Sequence, residues 1–535
     1  MPKVKQETAG KIGLFSAIMI IFGAVVGIGI FFKNKTVFNL NNNNFVGILC
    51  SWGISIVIVL CLALSFAEIS TCRMQNKNAG LGGWSQMFCR HGFGRYSKVG
   101  YPLAFYAINT FSVVFFVGEA VLNCFAKLGV EGSRIGGFSF GSLSALYIFI
   151  IGGGIFLVLL LLNYFVSKSM GKFSNVVGLI KFIPIGMVIL LGVVFGILYA
   201  DSGLWHNVET TTSTPVNASG SLDVFGMFKA VPAILFSYEG FLVVGNIAGD
   251  MNEPRKNVPI AVVLGVVVIS LVYVGITIGC ITAGTGNVYE LMNMEGLNPI
   301  VKQLLTYLIS IFLFICLIGT LNALVFSGTR GLQAVCEDGT FFKGKALTNK
   351  KPNSPLFAGT IYLAFLVGIW WVITIIPSAI KNTDTIADGT SSVMITFLYI
   401  IYGGTIWGGL KNRATHNHET IKFKIFPIAA VIGVLACIFV FSFCGIYQYI
   451  VEPVQKVLTG GLSWNDDYQN GWGLFLTAKQ AKGGLIPEYL TFKEVMIYFW
   501  CFFALLVAAP FINDWFIKHF DKENKQDLIW QYVEQ

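Results

Sequence analysis

The sequence predicts an all-α polytopic membrane protein of twelve transmembrane helices, and three observations predict it. Only 12% of the 535 residues are charged and 55% are hydrophobic, with a mean hydropathy of +0.72; a soluble domain carries about 25% charge. Apolar runs of roughly 20 residues, the helical span of a bilayer core, recur along the whole length. Lysine and arginine cluster in alternate connections between those runs, as the positive-inside rule expects.

The spans follow in order. The first, 13–33, comes after the basic start MPKVKQETAGK and is too long, and lacks the small-residue cleavage site, for a signal peptide. The second, 45–68, begins after the low-complexity NLNNNN and ends before Arg73. Spans at 100–126, 144–166 and 173–200 complete a first group of five; the polar, base-free segment 201–223 separates them from 224–248, 259–283, 303–328, 355–377 and 391–410. Two more, 425–450 and 494–517, flank the longest loop, 451–493. The domains read as tail 1–12, repeat 13–200, loop 201–223, repeat 224–410, final pair 411–517 and tail 518–535. With both termini cytoplasmic, 24 of the 36 Lys and Arg fall on the inner side, ten on the outer side and two, Lys181 and Lys229, inside spans. The expected location is therefore the plasma membrane with both tails inside. The net charge of +9 is a topology signal, spread over short loops, and not a nucleic-acid footprint.

Composition excludes several chemistries. The eleven cysteines form no CxxC pair, and most lie in apolar runs (Cys50, Cys61, Cys316, Cys437, Cys501). His416 and His418 have no cysteine or carboxylate cluster at ligand spacing, so no metal and no cofactor are expected. No HExxH motif, paired carboxylates or nucleophile–base motif occurs at mid-span, which argues against an enzyme.

Glycine placement points to a site. The stretch GAVVGIGIFF (23–32) puts Gly27 and Gly29 around Ile28 halfway across the first span. Broken helix in hydrocarbon is tolerated only where it lines a cavity. A break there frees amides of Gly27, Ile28 and Gly29 for an anion, at the positive end of the following half-helix. Carbonyls of Ala24 and Val25, just upstream, can accept from an ammonium. The alternative is that small residues merely allow close helix packing. In the sixth span, Ser237, Tyr238, Glu239 and Gly240 interrupt VPAILFSYEGFLVV at comparable depth. Breaks in the first and sixth of twelve spans are the pattern of inverted-repeat transporters, with spans 1–5 and 6–10 as the halves.

Several pieces carry a resemblance: GAVVGIGIF (23–31), SFAEIS (65–70) with GLGGW (80–84) and FGRYSKVGY (93–101), YEGF (238–241), EPRKNVPIA (253–261) and NALVFSGTRGLQAVCEDG (322–339). Together, over roughly residues 11–410, they resemble amino acid permeases of the amino acid–polyamine–organocation superfamily. Glu253 and Asp250 depart from that family's usual Asn and Glu. The resemblance implies a LeuT-like 5+5 inverted repeat with discontinuous helices 1 and 6. It implies a substrate carboxylate on the amides of Gly27, Ile28 and Gly29, with Val26 among the binding residues, an amino group near carbonyls of Val25, Phe236 and Glu239, and Phe236 as a gate. It implies that Lys181 points between spans 1 and 8, where sodium-coupled relatives hold an ion. Lys181 then serves proton coupling or is a fixed cation; the alternative is snorkelling to the interface.

Glu239 is costly at mid-membrane, about 2.5–3.5 kcal/mol on insertion scales. It can attract a cationic substrate, carry a proton, or tie down amides of the broken span. Glu119 in span 3 raises the same coupling question. Glu68 reads as a helix-end carboxylate satisfied by solvent or Arg73, and Lys229 as a snorkelling residue. Pro254 is expected to stop the sixth span and Pro259 to open the seventh. The resulting expectation is a secondary amino acid transporter, coupled to protons or working by exchange rather than by sodium. Its partners would be an amino acid, with Glu239 hinting at a cationic one, a coupling proton and the lipid bilayer, with no nucleic acid, in a monomer or homodimer. The alternatives are a membrane amino acid sensor with the same pocket and a polyamine or cationic amino acid exchanger.

Overall fold

In the computed structural model the described residues are 12–27, 29–72, 80–127, 144–198, 222–282, 298–352, 354–381, 383–472, 478–481, 484–487 and 489–521. Twelve helices among them are long and apolar enough to cross a membrane: α1 (Leu14–Leu40), α2 (Phe45–Ile69), α3 (His91–Leu122), α4 (Leu146–Phe165), α5 (Ser169–Val194), α6 (Val224–Asn246), α7 (Pro254–Thr282), α8 (Gln303–Glu337), α9 (Phe357–Lys381), α10 (Thr385–Thr415), α11 (Phe426–Thr459) and α12 (Phe492–Phe520). All twelve expected spans are present. The departure from all-α is one short antiparallel pair, β1 (Ala478–Ala481) with β2 (Gly484–Pro487), in the connection before α12.

Helix edges differ where a charge has a partner. α3 starts at His91 rather than at 100 and carries Arg95 and Lys98 inside it, because Asp514 and Asp338 meet them at 2.8 and 3.2 Å. α10 starts at Thr385 rather than 391, which brings Asp388 into the helix against Lys33. Hydropathy charges each of these residues the full cost of burial; an ion pair removes much of it. Pro254 was expected to close the sixth span, but it is the first residue of α7, where a missing N–H costs nothing, and Pro259 lies within that helix.

Packing sorts eight helices into two sets. α1, α2, α6 and α7 lie against one another, and so do α3, α4, α8 and α9. α5 joins the sets by touching α1, α7 and α8, while α10 packs on α11, α12 and α6. Each set contains a helix together with the one five later, so α1 keeps company with α6 and α3 with α8. Backbones approach closely where glycines allow it. A Cβ on Gly118 of α3 would come within 2.2 Å of the Ile148 carbonyl of α4, and one on Gly359 of α9 within 1.9 Å of the Thr329 carbonyl of α8.

Candidate functional site

The first helix breaks where its glycines stand. Regular helix runs from Leu14 to Val25, and Val26 turns extended at φ −77°, ψ 106°. Its N–H makes the last helical bond, to Phe22 O at 2.9 Å. Winding resumes with the wider π spacing over Gly29–Lys33 and as α-helix over Asn34–Leu40. Among the described residues, the amides of Gly27 and Gly29 find no backbone carbonyl. Ile28, the third member of the expected cradle, lies outside the described residues.

The sixth helix breaks at its predicted place. Helix Val224–Tyr238 ends at Glu239, which is extended at φ −60°, ψ 137°. Gly240 follows at φ +105°, a conformation that a side chain resists. The two breaks touch. A Cβ on Gly29 would lie 2.3 Å from Ser237 Cα, and one on Gly240 would lie 3.4 Å from Ala24 Cβ and Val25 Cγ2. Tyr273 of α7 ties them together, its hydroxyl reaching Val25 O at 3.0 Å and Ser237 O at 2.7 Å. One phenol proton serves both carbonyls. Tyr238 points away from this junction and donates to Ser270 Oγ at 3.0 Å.

Carbonyls exposed by the first break meet a buried cation. Lys181 Nζ donates to Gly23 O at 2.7 Å, Val26 O at 2.6 Å and Thr320 Oγ1 at 2.7 Å. These use all three ammonium protons. Lys181 is fully buried, with no room to snorkel, and it joins α5, α1 and α8. It occupies an irregular turn between helical segments Ser167–Ile180 and Phe182–Leu198. Thr320 Oγ1 also reaches Val26 O at 3.1 Å, and a Cβ on Gly27 would fall 2.4 Å from that oxygen.

The second break has its own charge. Glu239 is buried and accepts from the Tyr402 hydroxyl of α10 at 2.9 Å. Tyr402 stands edge-on to Phe66 and Phe241, at 5.6 and 6.1 Å. Of the carbonyls expected to meet a substrate ammonium, Val25 O already takes Tyr273 and Phe236 O takes the Glu239 amide at 3.1 Å. Each keeps a second lone pair.

One face of the molecule closes over Phe236. Lys33 of α1 pairs with Asp388 of α10, both buried, and its ammonium sits 5.6 Å from the Phe236 ring centre. The opposite face closes through Arg330 of α8, 3.7 Å from Asp250 beyond α6, and through Arg413 of α10, held by both oxygens of Glu68 at 2.8 and 2.7 Å. Glu68 was expected to rely on solvent or Arg73; instead Arg413 and the Phe423 amide satisfy it. Lys229, expected to snorkel, pairs with Glu452 of α11 because that carboxylate is buried beside it. Glu119 stands apart from the breaks on α3, buried, with neither carboxyl oxygen hydrogen-bonded among the described residues. Sequence reasoning missed Lys33, Asp388, Tyr273, Thr320 and Tyr402. Asp388 and Lys33 had a signal, each a charge at the edge of an apolar run; Tyr273, Thr320 and Tyr402 carried none.

Twelve candidate spans around a buried polar junction of two broken helices define a multi-pass membrane protein. The amino acid permease family matches residues 12–464, and the chain belongs to it. It is similar to an uncharacterized protein of Mycoplasma pneumoniae, 25% identical over 84% of this chain and 85% of the other. It is also similar to the serine/threonine exchanger SteT of Bacillus subtilis, at 23% identity over 80% of this chain and 90% of the exchanger. The b(0,+)-type amino acid transporter 1 of Mus musculus is 23% identical over 84% of each chain.

Proposed function

We propose that this protein moves an amino acid across the plasma membrane by alternating access, with the substrate held between the two helix breaks. The observation that carries this reading is the junction itself: amides of Gly27 and Gly29 with no backbone carbonyl among the described residues on one side, and Ser237, Glu239 and Gly240 on the other. The amides receive the carboxylate, without a fixed positive side chain in contact. The ammonium lies toward Val25 O, Phe236 O and the Glu239 carboxyl. Ala24 and Val26 complete the wall, Ser237 lines the sixth-helix side, and Tyr238, turned away from the junction, anchors that helix end to Ser270 of α7. The 5+5 inverted repeat is supported by the two packing sets, each pairing a helix with the one five later.

Phe236 is the gate on the Lys33 side, and opening there separates Lys33 from Asp388. Lys181 and Glu239 are the coupling groups, with Glu119 a third on α3. Lys181 supplies a fixed cation where a sodium ion would otherwise bridge α1 and α8, so the cycle is driven by protons or by exchange. Exchange is the mode named for the Bacillus relative. Both termini face the cytoplasm, supported by the excess of Lys and Arg on that side.

Radiolabelled uptake into proteoliposomes tests this, with a competition panel of twenty amino acids and an imposed pH or sodium gradient. The expected result is saturable uptake that responds to a pH gradient or to internal amino acid and ignores sodium. Saturable binding without flux would make the protein a sensor, and sodium-driven uptake would remove the role given to Lys181.

A further inference from the structure

Away from the helix breaks, on the face that carries Asp250 and Arg413, a cavity of about 210 Å³ opens between the short helix Leu81–Phe88 and the end of α10. Its cations are Arg90 and Lys411, both exposed, whose side chains show no ion pair or hydrogen bond among the described residues. The surrounding charges do not neutralise them. Arg413 is spent on Glu68, and Glu419, the acid of the following loop, is 3.1 Å from Arg255.

The walls are ordered. Asn412 Nδ2 donates to His418 O at 3.0 Å and the His418 amide returns a bond to Asn412 Oδ1 at 2.8 Å. His416 ends α10 in the left-handed conformation at φ +55°. The His418 ring meets Phe88 edge-on at 5.5 Å, and Cys89 Sγ reaches Gly404 O at 3.4 Å. Arg90 immediately precedes helix His91–Ala104. A guanidinium-bearing and an ammonium-bearing side chain lining one cavity supply the donors and charge that an oxyanion needs.

Its height along the helix suggests which anion. Trp407, one turn before Lys411 on α10, is 63% exposed, as a tryptophan at the edge of the hydrocarbon is. The cavity therefore stands at headgroup level. We infer that Arg90 and Lys411 bind a phosphate group at this cavity, supplied by an anionic lipid headgroup or by free phosphate.

Native mass spectrometry of the full chain tests this by titration with phosphatidylglycerol, phosphatidylcholine and inorganic phosphate in separate arms. Neutralising one such cation weakens anionic-lipid binding by about fivefold, so the Arg90→Gln/Lys411→Gln pair should weaken it by roughly twenty-five-fold. Phosphatidylglycerol binding with that dependence, and none for phosphatidylcholine, identifies a lipid headgroup. Inorganic phosphate binding with the same dependence identifies a soluble phosphate. The charge-conserving pair Arg90→Lys/Lys411→Arg should stay within about twofold of the parent, because the electrostatic term is kept. Binding of both phosphates that is unchanged in the Gln pair overturns the proposal, and so does equal loss in the charge-conserving pair.

Discussion

The two helix breaks resemble each other in backbone and differ in charge. The first is neutral and borrows its cation: carbonyls left bare at Gly23 and Val26 are met by Lys181, which arrives from α5. The second carries its own carboxylate, Glu239, at the end of helix Val224–Tyr238, where the helix dipole is already negative. A cation placed against a negative helix end is a settled arrangement. A carboxylate there needs a donor or a cation, and Tyr402 provides one hydrogen bond. Under the proposed function this difference is a division of labour: Lys181 supplies a cation that stays in place through the cycle, and Glu239 faces the substrate that comes and goes.

The largest expected effect tests whether the breaks form one site. Gly29→Ala places a Cβ 2.3 Å from the Ser237 backbone. Overpacking of that kind costs up to about 3 kcal/mol, so substrate binding should weaken by about a hundredfold with membrane insertion intact. Gly29→Leu should abolish binding altogether. Equilibrium binding of the purified variants measures this, and normal affinity in either would separate the amides from the substrate.

Next in size is Lys181→Ala, which removes the bonds donated to Gly23 O, Val26 O and Thr320 Oγ1, leaving Val26 O only the Thr320 hydroxyl. Each charge-assisted bond is worth about 1.5–3 kcal/mol, so uptake should fall by at least tenfold and lose its response to the pH gradient. The comparison predicts that the ratio of cationic to neutral amino acid uptake stays the same in this variant. Glu239→Gln should do the reverse. The amide oxygen still accepts from Tyr402, the charge is gone, and preference for a cationic over a neutral amino acid should drop by about fivefold, the factor for ~1 kcal/mol. A competition panel on both variants checks the contrast; matching profiles would dissolve it.

The smallest effect belongs to Tyr273→Phe. It removes one hydroxyl that bridges Val25 O and Ser237 O, a net loss of about 1 kcal/mol, so affinity should weaken by no more than about fivefold. A loss as large as that of Gly29→Ala would mean that Tyr273 contacts the substrate itself.

What could be read from the sequence was local. Hydropathy counts along the chain, and the number of spans follows from it. Glycine and polar interruptions are also local, so the two breaks appear at Gly27–Gly29 and within Ser237–Gly240 before any coordinates. Partner choice is not local. Lys33 meets Asp388 across 355 positions, Tyr402 meets Glu239 across 163, and Tyr273 meets Val25 across 248. No periodicity encodes such pairs, which is why Lys229 read as snorkelling until Glu452 appeared beside it. The same limit explains the misplaced helix starts at His91 and Thr385: a charge looks like a boundary until its counter-charge is known.

The most direct test of the paired-break site is cryo-electron microscopy of the protein in nanodiscs with its preferred amino acid bound. The account predicts density between residues 27–29 and Ser237–Gly240, with the carboxylate on the first-helix amides and the amino group toward Glu239. Density elsewhere, or an unbroken helix through residues 23–31, would contradict it.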